Sequence, residues 1–359
     1  MGNKSIKKGL NDAFQKKPNF KIIRNIEEEF FKNKTEKKEE GIGYIYCKIC
    51  VFKSIDDIYY LIYSKSNKSI ISYNIMTNQK LNEIREAHDN PVTFFQHYLD
   101  RKNQRDILLS LPCRSMNLKI WNVKNFECIL DFNNINLIFS ISASCFLNIF
   151  DEIYTIVIET TDKVLSSNVK NNMKVYDLKG NLIKEINNSD KSYVDGIITY
   201  YDKNFGTNYI VAESNYNIYA YDYEKNKKYH IYKQYNDLIN KSLLIYDKGK
   251  ITKLFNCCSD GRLRIWDFHK GKLLYNVNVI RDSYFYLNDI NFYDDENLFV
   301  ACENRTIYLL NLKYGIVIDK ISKHKGSVLF VKKITTEKYG DILISQGNNI
   351  IIWKLYNNN

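Results

Sequence analysis

The chain has 359 residues, and its 29 Tyr and 19 Phe, with Ile and Val spread throughout, supply β-favouring material for a large core, which excludes disorder except at the ends. No run of eighteen apolar residues is long enough to span a membrane and no secretory apolar segment opens the sequence, so a cytosolic protein is expected. The formal charge of +11 invites a nucleic-acid partner, but the basic residues are dispersed and a bias towards Lys, Asn, Ile and Tyr runs from end to end, which argues against one.

The three prolines, Pro18, Pro91 and Pro112, mark no linker, so one large closed domain accounts for the length as well as two small ones. The eight cysteines are scattered, mostly inside apolar runs, the pattern of buried free thiols in a reducing compartment. Cys47 and Cys50 form a Cys-x-x-Cys, yet no second pair or His partner stands at zinc-like spacing, and residues three apart on a strand face opposite sides. No metal and no cofactor is expected.

Residues 1–18 form a basic, flexible tail with Lys4, Lys7, Lys8, Lys16 and Lys17 against a single Asp12. Gly2 follows the initiator Met as in an N-myristoylation start, although Ile6 occupies the position usual for Ser or Thr. An acylated Gly2 beside those lysines would make a two-signal membrane anchor; a solvated tail is the simpler reading. Residues 19–26, NFKIIRNI, read as a strand, 27–42 as a charged linker, and 43–359 as strand after strand.

The clearest stretch within that run is SDGRLRIWDFHKGKLL, Ser259 to Leu274. An Asp-Gly turn at Asp260 leads into a strand in which Leu263 and Ile265 alternate with Arg262, Arg264 and Trp266, and the turn at His269 to Gly271 leads into the next strand. The unit recurs as SIISYNI, NLKIWNV, NMKVYDL, NIYAYDY, RLRIWDF, TIYLLNL and NIIIWKL. The fifth position of each copy is Tyr73, Trp121, Tyr176, Tyr221, Trp266, Leu310 and Trp353, with spacings of 48, 55, 45, 45, 44 and 43 residues. All three tryptophans fall on this position. The next residue is a carboxylate or amide in six of the seven copies, Asp177, Asp222 and Asp267 among them.

These copies resemble WD40 repeats, and the chain is similar to a seven-bladed β-propeller from about residue 19 to the end. The resemblance implies an all-β fold of four-stranded sheets, and a His before the innermost strand that can join a Ser or Thr, an Asp and the Trp. His88 and His324 both stand four residues before a Val that opens a strand, as that His would. No copy carries the whole set: Asp260 and Trp266 lack the His, whereas His88 with Trp121 and His324 with Trp353 lack the Asp. Six copies continue through a turn into an outer strand, but the seventh stops at YNNN, and residues 19–26 are the spare strand that would complete it.

Enzyme chemistry is not legible. Gly41-Ile42-Gly43 precedes a strand rather than a helix, there is no Gly-x-Ser-x-Gly and no His-Glu-x-x-His, and the five histidines are far apart in sequence. The remaining candidates are loops. On the face carrying the second-to-third strand turns, the second and third copies would project Arg114, Lys163 and Lys170; on the opposite face, LDRKNQRD carries Arg101, Lys102 and Arg105, which would attract an acidic peptide or a lipid headgroup. The expected function is a non-enzymatic scaffold that binds protein partners on the face carrying the longer loops, that of Arg114, Lys163 and Lys170. A peripheral membrane adaptor held by the N-terminus is the alternative, and a propeller enzyme with a dispersed site ranks below both.

Overall fold

In the computed structural model, the described residues are 14, 17–26, 49–65, 68–112, 115–135, 137, 140–160, 171–186, 194–214, 217–233, 238–246, 252–280 and 285–356. The chain divides into two compact units, one formed by Met1–Lys34 with Asp237–Asn359 and the other by Thr35–Asn236.

The strand β1 (Asn19–Ile26) belongs to the first of these units. The second unit holds four antiparallel sheets of four strands each. They are β2 (Cys50–Lys53), β3 (Tyr59–Ser64), β4 (Ile70–Asn74) and β5 (Gln79–Ile84); then β6 (Val92–Asp100), β7 (Arg105–Pro112), β8 (Lys119–Asn122) and β9 (Cys128–Asp131). The third comprises β10 (Ser140–Ile149), β11 (Glu152–Thr160), β12 (Asn171–Asp177) and β13 (Leu182–Ile186), and the fourth β14 (Val194–Asp202), β15 (Thr207–Ser214), β16 (Asn217–Asp222) and β17 (Lys227–Lys233).

The first unit contributes β18 (Ile239–Tyr246), β19 (Thr252–Cys258), β20 (Arg262–Asp267) and β21 (Lys272–Asn278), followed by β22 (Leu287–Phe292), β23 (Asn297–Cys302), β24 (Ile307–Asn311) and β25 (Ile316–Ile321). Its last sheet is β26 (Phe330–Thr336), β27 (Gly340–Gln346) and β28 (Ile350–Tyr356), and β1 is its fourth strand, antiparallel to β28 from Asn19 opposite Tyr356 to Ile26 opposite Ile350. The fold is an all-β, seven-bladed β-propeller, with one blade per sequence repeat.

Each repeat mark sits where the ladder between third and fourth strands slips. The register shifts between Ser72 and Tyr73, Ile120 and Trp121, Val175 and Tyr176, Ala220 and Tyr221, Ile265 and Trp266, and Leu309 and Leu310. In the last sheet the irregularity lies in β1, between Ile22 and Arg24, opposite Trp353 and Ile352. A bulge bends and twists the strand that carries it. The skipped residue lies on the fourth strand, so each mark sits on the third strand beside that bulge.

Five residues after the mark the backbone turns left-handed at Asn78, Phe126, Asn226, Gly271 and Gly315, with φ between 50 and 65°. Asn and Gly reach this region cheaply, whereas Phe126 does so at a cost in strain that its burial in the core beside Trp121 and Val123 offsets.

The cores lie between successive sheets. Leu109, Ile120 and Phe132 pack against Phe146 and Val157, and Ile156, Ile158 and Val175 pack against Ile210 and Tyr221. In the other unit Cys257, Leu263 and Ile265 meet Leu298 and Val300, and Phe299 and Leu309 meet Leu343 and Trp353. Middle strands are therefore buried on both faces, β3 throughout its length. Arg264 and Trp266, which alternate with Leu263 and Ile265 along β20, are buried as these are, and Arg264 donates to Asp260 Oδ2 at 2.6 Å.

Candidate functional site

The repeat marks divide into core fillers and turn formers. Tyr73 stacks on Tyr63 at 5.9 Å, Tyr176 meets Phe132 edge-on at 5.4 Å, and Tyr221 is fully buried. Burial, with the charge of Glu159 beside it, pushes the Tyr176 phenol up to about 12. Asp177 accepts from the amides of Lys179 and Asn181 at 2.9 and 2.8 Å, Asp222 from Lys225 N at 2.8 Å and Asp267 from Lys270 N at 3.0 Å. The carboxylate after the mark thus holds the turn into the outer strand, as Asx turns do elsewhere.

Two sheets contain the same buried triplet. His88 Nε2 and Trp121 Nε1 each lie 2.7 Å from Ser110 Oγ. In the last sheet His324 Nε2 and Trp353 Nε1 each lie 2.8 Å from Ser345 Oγ. Burial above all drives both imidazoles down to about 4, with Lys119 reinforcing the shift at His88, so both are neutral at neutral pH. Gly347 is required for this packing, because a Cβ there would stand 2.8 Å from His324 Nδ1. All six side chains of the two triplets are buried and brace their sheets from within.

Burial raises the Cys145, Cys257 and Cys302 thiols, which disfavours the thiolate. Among the described residues no three ligating side chains converge as a metal site would require. No helix among them is long and apolar enough to cross a membrane.

The accessible chemistry is on the hairpins that join first to second strands. Phe146 N donates to Gln96 Oε1 at 2.8 Å and Thr199 Oγ1 donates to Phe146 O at 2.8 Å. These bonds fix β6, β10 and β14 side by side, so their hairpin tips stand at one end of the unit. Each tip is a tight, well-paired turn. Asp100, buried, accepts from Asn103 N at 3.1 Å, Asn103 Nδ2 at 2.8 Å and Arg105 Nε at 2.9 Å. Burial works against ionising Asp100, but Asn103 and Arg105 outweigh it and hold the carboxyl below the usual range.

The structure separates the three basic residues of LDRKNQRD. Arg105 is spent on Asp100, and Lys102 forms an ion pair with Glu152 of the β10–β11 hairpin. Arg101 remains exposed and lines a cleft of about 310 Å³ together with Tyr98, Leu99, Asn148 and Asp151. Immediately before Asp151, Phe150 is 95% exposed with φ at 49°, and on the next hairpin Phe205 is 64% exposed. Sequence reasoning missed Phe150, Tyr98, Asn148 and Asp151. The one available signal was an apolar residue placed where a hairpin asks for turn chemistry, in NIFDEI.

Arg114, Lys163, Lys170 and Gly2 lie outside the described residues, as does the charged linker from 27 to 42. No protein-family model matches the chain, and comparison with curated proteins likewise finds no match. The seven sheets therefore define the class, a seven-bladed β-propeller, on architecture alone.

Proposed function

We propose that the chain is a WD40-type propeller that works as a non-enzymatic interaction scaffold, and that its binding face is the hairpin-tip end of the second, third and fourth sheets. The observation that carries this reading is Phe150, an aromatic side chain 95% exposed at the tip of the paired β10–β11 hairpin, next in sequence to Asp151, which lines an open cleft. An exposed aromatic on a rigid support loses little conformational entropy when covered, and such anchors dominate binding energy at interfaces. Phe205, on the β14–β15 hairpin, is a second exposed aromatic at a hairpin tip of this unit. The buried triplets and the raised thiols support a structural rather than a catalytic use of the interior.

The test is capture from native extract on the full chain, followed by identification and repeated with Phe150→Ser/Phe205→Ser. A surface change elsewhere, Tyr275→Ser, serves as control. A defined protein held by wild type and control but lost by the double variant is the expected result. Capture indifferent to the tips, or no reproducible capture, would remove the reading.

A further inference from the structure

The cleft beside Phe150 constrains what it can hold. It is lined by Tyr98, Leu99 and Asn148 together with two side chains of opposite charge, Arg101 of the β6–β7 hairpin and Asp151 of the β10–β11 hairpin. The Lys102–Glu152 ion pair spans the same two hairpins. About 310 Å³ accommodates a side chain or two with the adjoining backbone, the small end of ligand-sized sites.

Arg101 can present its planar guanidinium to a carboxylate in two-point fashion. Asp151 can accept from a backbone amide N–H. Phe150 can cover an apolar side chain. A ligand meeting all three at once is an extended peptide.

Other occupants fit less well. A membrane surface would have to receive Phe150 together with Asp151, whose carboxylate anionic headgroups repel. Nucleic acid needs several free cations along a track, and here Lys102 and Arg105 are already paired.

We infer that the cleft between the β6–β7 and β10–β11 hairpins is a recognition subsite for an extended peptide segment of a protein partner, in which a carboxylate residue adjoins an apolar one. The carboxylate seats on Arg101, the peptide backbone donates to Asp151, and the apolar side chain lies against Phe150. This rests on the scaffold reading and names the chemistry of the segment that such a scaffold would grip.

The experiment uses the full chain on an array of synthetic peptides, each a Gly-Ser frame carrying one pairing of two natural amino acids. Phosphatidylserine vesicles form a separate arm. Asp or Glu beside Leu, Ile or Phe should be selected, and affinity should fall at least about tenfold with Arg101→Glu or Phe150→Ser at unchanged melting temperature. Arg101→Lys, which keeps the charge and loses the planar fork, should be intermediate. Selection without a carboxylate preference, affinity insensitive to Arg101, vesicle binding in place of peptide binding, or no peptide bound would overturn the inference. If tip-dependent capture from extract persists while the array fails, only this inference falls; if both fail, the scaffold reading falls with it.

Discussion

The second and the last sheets contain the same His–Ser–Trp triplet, but they finish it differently. In the second, Asn117 reaches no further than Asp89 of the same repeat, at 3.2 Å. In the last, His324 Nδ1 lies 3.2 Å from Asn349 Oδ1, and Asn349 Nδ2 donates to Asn25 Oδ1 at 2.5 Å, on a strand more than three hundred residues away in sequence. One polar device thus serves two purposes. Where a sheet is made of consecutive chain it rigidifies the sheet, and where the sheet borrows a strand it also fastens the borrowed strand.

The largest effect that would break this comparison is removal of the borrowed strand. Deleting residues 1–26 takes away a ladder of hydrogen bonds with β28, each worth about 0.5–1.5 kcal/mol, and the packing of Phe20 on Phe299 at 6.1 Å. The truncated chain is expected to lose most of its stability, read as melting temperature and solubility. An unchanged melting curve would show that β1 is dispensable.

Acid comes next. His88 and His324 have folded values near 4 against an ordinary 6.5, so the unfolded chain binds protons first. Their contribution to stability is complete above pH 6.5, declines as pH falls towards 4, and is then lost, at roughly 3 kcal/mol per histidine. Denaturant midpoints measured across that window should slope less in His88→Gln and His324→Gln than in the parent. Equal slopes would mean that other groups set the acid response.

Ser110→Ala and Ser345→Ala each strand a buried imidazole and an indole N–H, and should cost about 2–4 kcal/mol by chemical denaturation. If the two triplets are equivalent, the two values should agree. Asn349→Ala should then cost about 1–2 kcal/mol, more than Asn117→Ala, because only Asn349 reaches a strand from elsewhere in the chain. Equal losses would remove the fastening role. Phe150→Ser marks the small end, within about 0.5 kcal/mol, since its side chain is almost wholly in solvent.

Much of the fold was legible before the structure. The spacing of Tyr73, Trp121, Tyr176, Tyr221, Trp266, Leu310 and Trp353 counted the sheets, and the chain ending at YNNN pointed to residues 19–26 as the missing strand, which β1 supplies. The candidate site was only half legible. LDRKNQRD drew attention through its charge, but charge alone could not tell Arg101 from Lys102 and Arg105, whose partners Glu152 and Asp100 are settled by how hairpins fold and meet.

The sequence by itself determined the number, phase and closing strand of the repeats, because turn chemistry, a bulky residue at a bulge and the length of each unit are local properties written into every copy. Only the tertiary structure decided which polar groups are sealed inside and which face water. Arg264 is buried against Asp260, the His88 and His324 imidazoles are neutral, and Phe150 and Arg101 stand exposed. Those outcomes depend on desolvation and on pairing between segments distant in sequence, and no single repeat contains them.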